Sequence, residues 1–141
     1  PDVPDPLRGI EWVCFGSTTF STMLPVYTNA AKMPRYLSDV TLDTSTENFY
    51  WGSRLIDALA DHNYSSCIQN IERYHKAVLT KGRRIIYEYD RKMIESGDFS
   101  LTAKANEELC KMAKEQTIDT LNKILLTASE HMKNGYNRAD N

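Results

Sequence analysis

Residues 45–61 read STENFYWGSRLIDALAD, a stretch that begins like a helix and then places Phe49, Tyr50 and Trp51 side by side. Consecutive residues of an α-helix point about 100° apart, so the three rings face three different directions. In a helix with one side in water, at least one of three rings arranged in this way would face the solvent. The stretch therefore predicts a helix start that other segments of the protein surround on several sides.

The residues around this helix start suggest where the helix begins. Thr44 followed three residues later by Glu47 resembles a capping box, and Ser45 and Thr46 are also suitable N-cap types. A first helix is therefore predicted over 46–63. Its apolar residues at helical spacing are Leu55, Ile56, Leu59 and Ala60.

Two longer helices are predicted to follow. One covers about 65–95, and Gly82 within it predicts a kink or break, because glycine in a helix interior costs about 1 kcal/mol relative to alanine. The segment SGDFS, residues 96–100, ends this helix and caps the next, which covers 101–132, while 134–141 are expected to be frayed. The side chains expected to face inward are Ile68, Ile71, Tyr74, His75, Val78, Leu79, Ile85, Ile86, Tyr89 and Met93, then Leu101, Ala105, Leu109, Met112, Leu121, Ile124, Leu125, Ala128 and Met132.

Residues 10–28 predict two strands joined by a short polar turn. The run 12–15 is rich in β-prone residues, 16–19 have turn chemistry, and 20–27 form a second strand that Pro25 confines to an edge or a strand end. A lone two-stranded hairpin is only marginally stable in water. Since no other segment predicts a strand, we expect the hairpin to join a sheet whose other strands lie upstream.

The order of these elements predicts an α+β fold and a chain that is the C-terminal part of a larger protein. Pro1, Pro4 and Pro6 predict an extended connector at the start, because each proline disfavours helix at the preceding residue. Two strands without partners then precede three long helices. The predicted organisation is a linker and strand pair over 1–28, a loop with a short turn over 29–45, and a helical part of the same domain over 46–141.

Composition narrows the class of function. The 141 residues are 41% hydrophobic and 26% charged, with a net charge of -2, so no basic face for nucleic acid or an anionic membrane is expected. The longest apolar runs fall far below the roughly 20 residues of a membrane span. The start of the chain, residues 1–10, has no apolar segment of the kind found in signal peptides. A cytoplasmic location is the default expectation.

Cysteine and histidine spacing predicts neither a disulfide framework nor a metal site. The three cysteines form no CxxC pair, and no two histidines stand four residues apart, so no metal or cofactor is expected. We interpret the cysteines as free, partly buried thiols and the histidines as solvated or half-buried helix residues. These residues are Cys14, Cys67, Cys110, His62, His75 and His131.

The motif search yields no catalytic residue within this chain. Cys14 is expected in a strand and has no general base supplied by any motif, so a small buried thiol is the better interpretation. The segment FGSTTFST lacks the GxSxG of a nucleophile elbow, and residues 17–19 are interpreted as turn residues. Arg83 and Arg84 are interpreted as part of a solvated face. The residues that bind substrate stay unknown at this stage.

Three segments in this order nevertheless resemble a known family. IEWVCFGSTTFSTMLPVYTN at 10–29, STENFYWGSRLIDALAD at 45–61 and IERYH at 71–75 resemble the C-terminal third of the bacterial dipeptidase A-like cysteine dipeptidases, in the N-terminal-nucleophile hydrolase superfamily. The resemblance runs from about Gly9 to Arg91. It implies an αββα sandwich of two antiparallel sheets between helical layers.

The resemblance also implies a mechanism and partners. The family's nucleophile is a cysteine that becomes the first residue of the mature chain, and its free α-amine acts as the base. This chain begins with Pro1, so the resemblance implies a nucleophile upstream and an inactive isolated segment. The implied partners are the N-terminal part of the same protein and a small peptide substrate, with homo-oligomerisation left open. Two alternatives remain: a self-standing helical interaction module, and a related amidase acting on a non-peptide amide.

Overall fold

The computed structural model describes residues 4–16, 20–30 and 32–139, apart from the side chains of residues 5, 6, 131 and 133–139. Over these ranges it is an α+β structure with one antiparallel pair of strands and mostly helices, which confirms the predicted class. In chain order the elements are α1 (Asp5–Arg8), β1 (Ile10–Val13), β2 (Leu24–Tyr27), α2 (Arg35–Ser38), α3 (Phe49–His62), α4 (Tyr64–Ser96) and α5 (Leu101–Ala139).

The hairpin is confirmed but shorter than predicted. β1 and β2 pair antiparallel from Ile10 opposite Tyr27 to Val13 opposite Leu24. The prediction that Cys14 lies in a strand is wrong, because β1 ends one residue before it. The predicted turn residues 17–19 lie outside the described residues.

The start of the chain differs from the predicted extended connector. Pro4 has the extended backbone expected before a helix, and one helical turn, α1, follows it with a proline in the first turn. A proline is compatible with that position because the first turn needs no intrahelical N–H donor. Leu7 of α1 is buried. The connector prediction is therefore wrong for 5–8, whereas Pro1 lies outside the described residues.

α3 begins at Phe49, and its cap is not the predicted capping box. The side-chain oxygen of Asn48 accepts a hydrogen bond from the backbone N–H of Trp51 at 3.2 Å, while its amide nitrogen donates to the backbone carbonyl of Asp39. Asn48 is buried, so this tertiary contact fixes the helix start. Ser45 instead accepts a bond from the backbone N–H of Glu47 at 3.0 Å, in a local turn before the helix.

α4 is continuous through Gly82, so the predicted kink or break is wrong. A Cβ at this position would lie 3.2 Å from Cγ of Pro25, which means that glycine lets β2 approach the helix closely. The helix ends at Ser96, close to the predicted end, and its C-cap residue Gly97 has a φ of 71°, in the left-handed region that favours glycine.

α5 extends further than predicted, to Ala139 instead of residue 132. The predicted fraying of 134–141 is therefore wrong for 134–139, and residues 140 and 141 lie outside the description. Leu125 and Met132, predicted to face inward, are 53% and 76% exposed. Among the described side chains of α5, Ile124 is the last one in the buried core.

The core surrounds β2 on both faces. All four residues of β2 are buried, and its side chains enter two neighbouring clusters. Leu24 and Val26 join the larger cluster with α3, α4 and α5, whereas Tyr27 joins the smaller one with Leu7 and Met93. Burying each large apolar side chain contributes about 1.5–3 kcal/mol, so β2 is integral to the helical core.

No helix within the described part of the chain has both the length and the apolar character needed to cross a lipid bilayer.

Candidate functional site

An aromatic cluster surrounds the start of α3 and consists of Phe15, Tyr36, Phe49, Tyr50 and Trp51. The ring of Phe15 lies 5.8 Å from that of Phe49 and 5.7 Å from that of Tyr50, in edge-to-face geometry. Tyr36 of α2 covers Phe49 from another side at 5.6 Å, and Phe49 is fully buried. The predicted enclosure on several sides is confirmed, and for Phe49 it is supplied by segments of this same chain.

Beyond this cluster, Asp57 of α3 holds the segment that follows β1. Its Oδ1 accepts a 2.8 Å hydrogen bond from the hydroxyl of Ser21, just before β2. Its Oδ2 packs so closely on Gly16 that a Cβ there would be 2.1 Å away, and Gly16 has a φ of 87°. Glycine suits this position for both reasons. Asp57 therefore fixes both ends of the connection between the strands to α3.

An open cleft of about 410 Å³ lies beside this anchor, and we call it the Asp57 cleft. One helix face supplies most of its lining, since Arg54, Asp57, Ala58 and Asp61 recur at spacings of three, four and seven residues. Phe20, from the connection between the strands, supplies an apolar wall. The described lining thus offers one cation and two carboxylates around an apolar surface.

The charged residues of the cleft are spread along α3. The guanidinium of Arg54 lies 5.5 Å from the centre of the Tyr50 ring, which orients its charge at one end of the cleft. Asp61 lies two helical turns away, at the other end of the same face.

The three cysteines are free thiols, as predicted, and none has the surroundings of a nucleophile. Burial and then the negative charge of Asp57 raise the pKa of the half-buried Cys14 thiol. Burial raises the pKa of Cys67, and burial followed by Glu107 raises the pKa of Cys110 to about 12. A reactive cysteine needs a lowered pKa or an adjacent base, so these three favour the protonated, unreactive form.

The two histidines whose side chains the structure describes, His62 and His75, agree with their interpretation as solvated or half-buried helix residues. His62 is exposed at the end of α3, and Nε2 of His75 lies 3.2 Å from the backbone oxygen of Phe20. The side chain of His131 lies outside the described residues. Over the described ranges, no three His, Cys, Asp or Glu side chains converge as a metal-binding group.

Sequence reasoning overlooked Arg54, Asp57 and Asp61. A signal for them is present in RLIDALAD, where the three charged residues share one helix face, but it resembles an ordinary solvated face. The aromatic wall from Phe20 is contributed by another element, and only the fold brings it there. Arg83 and Arg84 are exposed, as interpreted.

The sequence is similar to those of known proteins over nearly the whole of its length. A family model described as peptidase family C69 matches residues 1–77. The chain is 31% identical over 140 residues to "Probable dipeptidase A" of Streptococcus pyogenes serotype M18, covering 99% of this chain and 29% of that protein. It is 28% identical over 181 residues to "Dipeptidase" of Bifidobacterium longum, covering 99% of this chain and 34% of that protein. "Probable dipeptidase B" of Lactococcus lactis is 28% identical over 133 residues, covering 94% of this chain and 28% of that protein. The chain thus spans about a third of the length of these curated relatives.

Proposed function

The chain belongs to peptidase family C69, and from this premise we propose that it is the C-terminal part of a cysteine dipeptidase that hydrolyses small peptides. The observation that carries the proposal is the family match over residues 1–77, more than half of the chain. The curated relatives named dipeptidase add support, since they align with nearly the whole of it. Their own length, about three times greater, is why the proposal concerns a larger enzyme.

We propose that the nucleophile is an N-terminal cysteine in the part of the enzyme upstream of this chain. Its thiolate would attack the scissile carbonyl, its α-amine would act as the base, and water would release the acyl group. The surroundings of Cys14, Cys67 and Cys110 support an external nucleophile, because burial favours the neutral thiol at each of them. This chain alone is then expected to be inactive.

The structural contribution of this chain is to complete a larger αββα sandwich and to form one wall of the substrate site. We assign that wall to the Asp57 cleft. A dipeptide carries a free carboxylate, and the cleft presents the cation of Arg54 with the apolar wall of Phe20. Arg54 would bind this carboxylate.

The buried strand β2 argues against a self-standing helical interaction module. Such a module would tolerate deletion of residues 1–28. That deletion would remove Leu24, Val26 and Tyr27, which are fully buried against α3, α4 and α5 or against the smaller cluster. The loss of several core side chains of this size lowers the free energy of unfolding by more than the total unfolding free energy of an ordinary domain.

The proposal can be tested by labelling the complete gene product with a thiol-reactive dipeptide analogue and locating the modified residue by mass spectrometry. We expect the label on an N-terminal cysteine upstream of Pro1, with loss of dipeptide hydrolysis. A Cys14→Ser variant is the matched control and should be labelled and inactivated like the parent.

Two results would overturn the proposal. One is label on Cys14, Cys67 or Cys110 together with loss of activity, which would put the chemistry in this chain. The other is a gene product that hydrolyses non-peptide amides but no dipeptide, which would identify a related amidase.

A further inference from the structure

The outer edge of β2 is closed to any further strand. The side-chain oxygen of Asn106 on α5 accepts a 2.8 Å hydrogen bond from the backbone N–H of Tyr27, and its amide nitrogen donates to the backbone oxygen of Tyr27 at 2.9 Å. Pro25, the next residue whose backbone faces this side, has no N–H to donate. A strand approaching here would find its hydrogen-bonding positions occupied or missing.

The outer edge of β1, in contrast, is open within the described residues. Inward and outward groups alternate along an antiparallel pair, and Gly9 faces inward because its carbonyl accepts a 2.7 Å bond from Thr28. The backbone groups of Glu11 and Val13 therefore face β2, whereas those of Ile10 and Trp12 face outward. Among the described residues, no hydrogen bond occupies these outward groups.

Large apolar side chains lie exposed beside this open edge. Trp12 is 41% exposed. On α4, Tyr87 is 63% exposed and Leu79 is 37% exposed, so the prediction that Leu79 faces inward is wrong. Two grooves of about 250 and 270 Å³ flank Trp12, one lined by Tyr87 and Arg83 and the other by Leu79. The open edge and the uncovered helix face thus form one continuous surface, which we call the β1 surface.

β1 has little of the chemistry that protects a strand edge exposed to solvent. Natural edge strands carry lysine, proline or a bulge that prevents pairing with other strands. β1 reads IEWV and has no lysine or proline, so its protection is limited to its length of four residues and the charge of Glu11. A two-stranded sheet is moreover only marginally stable by itself.

We propose that a β-strand from the remainder of the same polypeptide pairs with β1 through the backbone of Ile10 and Trp12 and covers Leu79 and Tyr87. The inference rests on the proposed function, because the pairing strand would come from the additional part of a larger enzyme. The curated relatives, about three times as long as this chain, are the reason to expect such a part. It goes beyond the proposed function by naming the edge at which the sheet is extended. The sheet continues from the outer edge of β1 and ends at β2.

Amide hydrogen exchange of the complete gene product and of the 141-residue chain tests the proposal. The amides of Ile10 and Trp12 should exchange at least about tenfold more slowly in the complete gene product than in the chain alone. The amides of Glu11 and Val13, which face β2, are the internal control and should be protected in both.

The possible outcomes separate this proposal from others. Rapid exchange of Ile10 and Trp12 in both samples, or a complete gene product without any further segment, would overturn it. Protection in the 141-residue chain that grows with protein concentration would assign the β1 surface to a second copy and also overturn it. Dipeptide hydrolysis by the same sample is measured separately, so that failure of the proposed function is distinguished from failure of strand addition.

Discussion

Asn106 and Tyr27 are 79 residues apart in sequence, yet the side-chain amide of Asn106 bonds both backbone groups of Tyr27 as a neighbouring strand would. The contact is buried, and Tyr27 is held at its other end by its hydroxyl, which donates to Asp90 at 2.5 Å. One side chain of α5 thus terminates the sheet and joins it to the helices.

Replacing Asn106 with alanine should lower the free energy of unfolding by about 1–3 kcal/mol, because the buried N–H and carbonyl of Tyr27 lose their partners. Urea unfolding followed by circular dichroism measures the change. Asn122→Ala, at an exposed position on the same helix, is the matched control and should be nearly neutral. Equal stability of the Asn106 and Asn122 variants would contradict the structural role of this contact.

Gly52→Ala should destabilise the protein by about 1–3 kcal/mol, although alanine is the better helix former. A Cβ at Gly52 would lie 2.8 Å from Cγ2 of buried Thr117, whose hydroxyl is bonded to that of Tyr74 at 2.8 Å. Thr117→Ser removes the obstructing methyl and keeps the hydroxyl. Denaturant unfolding of both single variants and the double variant is the measurement, and a Gly52→Ala cost unchanged in the Thr117→Ser background would refute this explanation.

Helix existence could be predicted from the sequence, whereas helix starts and interruptions could not. Apolar periodicity identified α4 and α5 because each repeats over many turns. The cap of α3 depends on a bond between Asn48 and the carbonyl of Asp39, which local capping rules do not include. The effect of Gly82 depends on Pro25, which comes from a strand 57 positions earlier (82 minus 25).

The candidate site could likewise be predicted from the sequence only in part. Arg54, Asp57 and Asp61 share a helix face that the sequence alone could have indicated. The bond from Ser21 to Asp57 and the wall from Phe20 arise only when the hairpin folds back onto α3. Sequence separation is the physical reason, because these contacts join residues about 36 positions apart through tertiary packing.

Stability should decline at alkaline pH because of Cys110. Burial and Glu107 raise its pKa from the ordinary 9.0 to about 12 in the folded protein. Below pH 9 both states keep the proton, so the contribution is fully present there. Between about 9 and 12 only the unfolded chain loses it, and stability falls by up to about 1.4 kcal/mol per pH unit. Urea unfolding at a series of alkaline pH values should show a shallower decline for Cys110→Ala, and parallel curves would rule out this origin.

Asp57 should suppress the reactivity of Cys14. Burial raises the pKa of this thiol first, and the charge of Asp57 adds to the effect. Asp57→Asn removes the charge while an amide oxygen can still accept the bond from Ser21. Labelling of Cys14 at about pH 8 should therefore become several-fold faster, because the thiolate fraction increases. Asp61→Asn, on the same helix face, is the control, and an equal acceleration in that variant would indicate a general charge effect or loosened structure instead.

Arg54→Gln in the complete gene product should raise KM for dipeptides roughly tenfold with little change in kcat, because a charged hydrogen bond to the substrate carboxylate contributes about 1.5 kcal/mol. Steady-state kinetics measure both constants. Arg91→Gln is the matched control, since Arg91 is exposed on α4 and pairs with Glu95 at 3.6 Å. A dipeptide amidated at its C-terminus lacks the carboxylate, so its KM should be the same for Arg54→Gln and the parent. If the variant raised KM equally for the free and the amidated substrate, Arg54 would be acting on the shape of the cleft and not on the carboxylate.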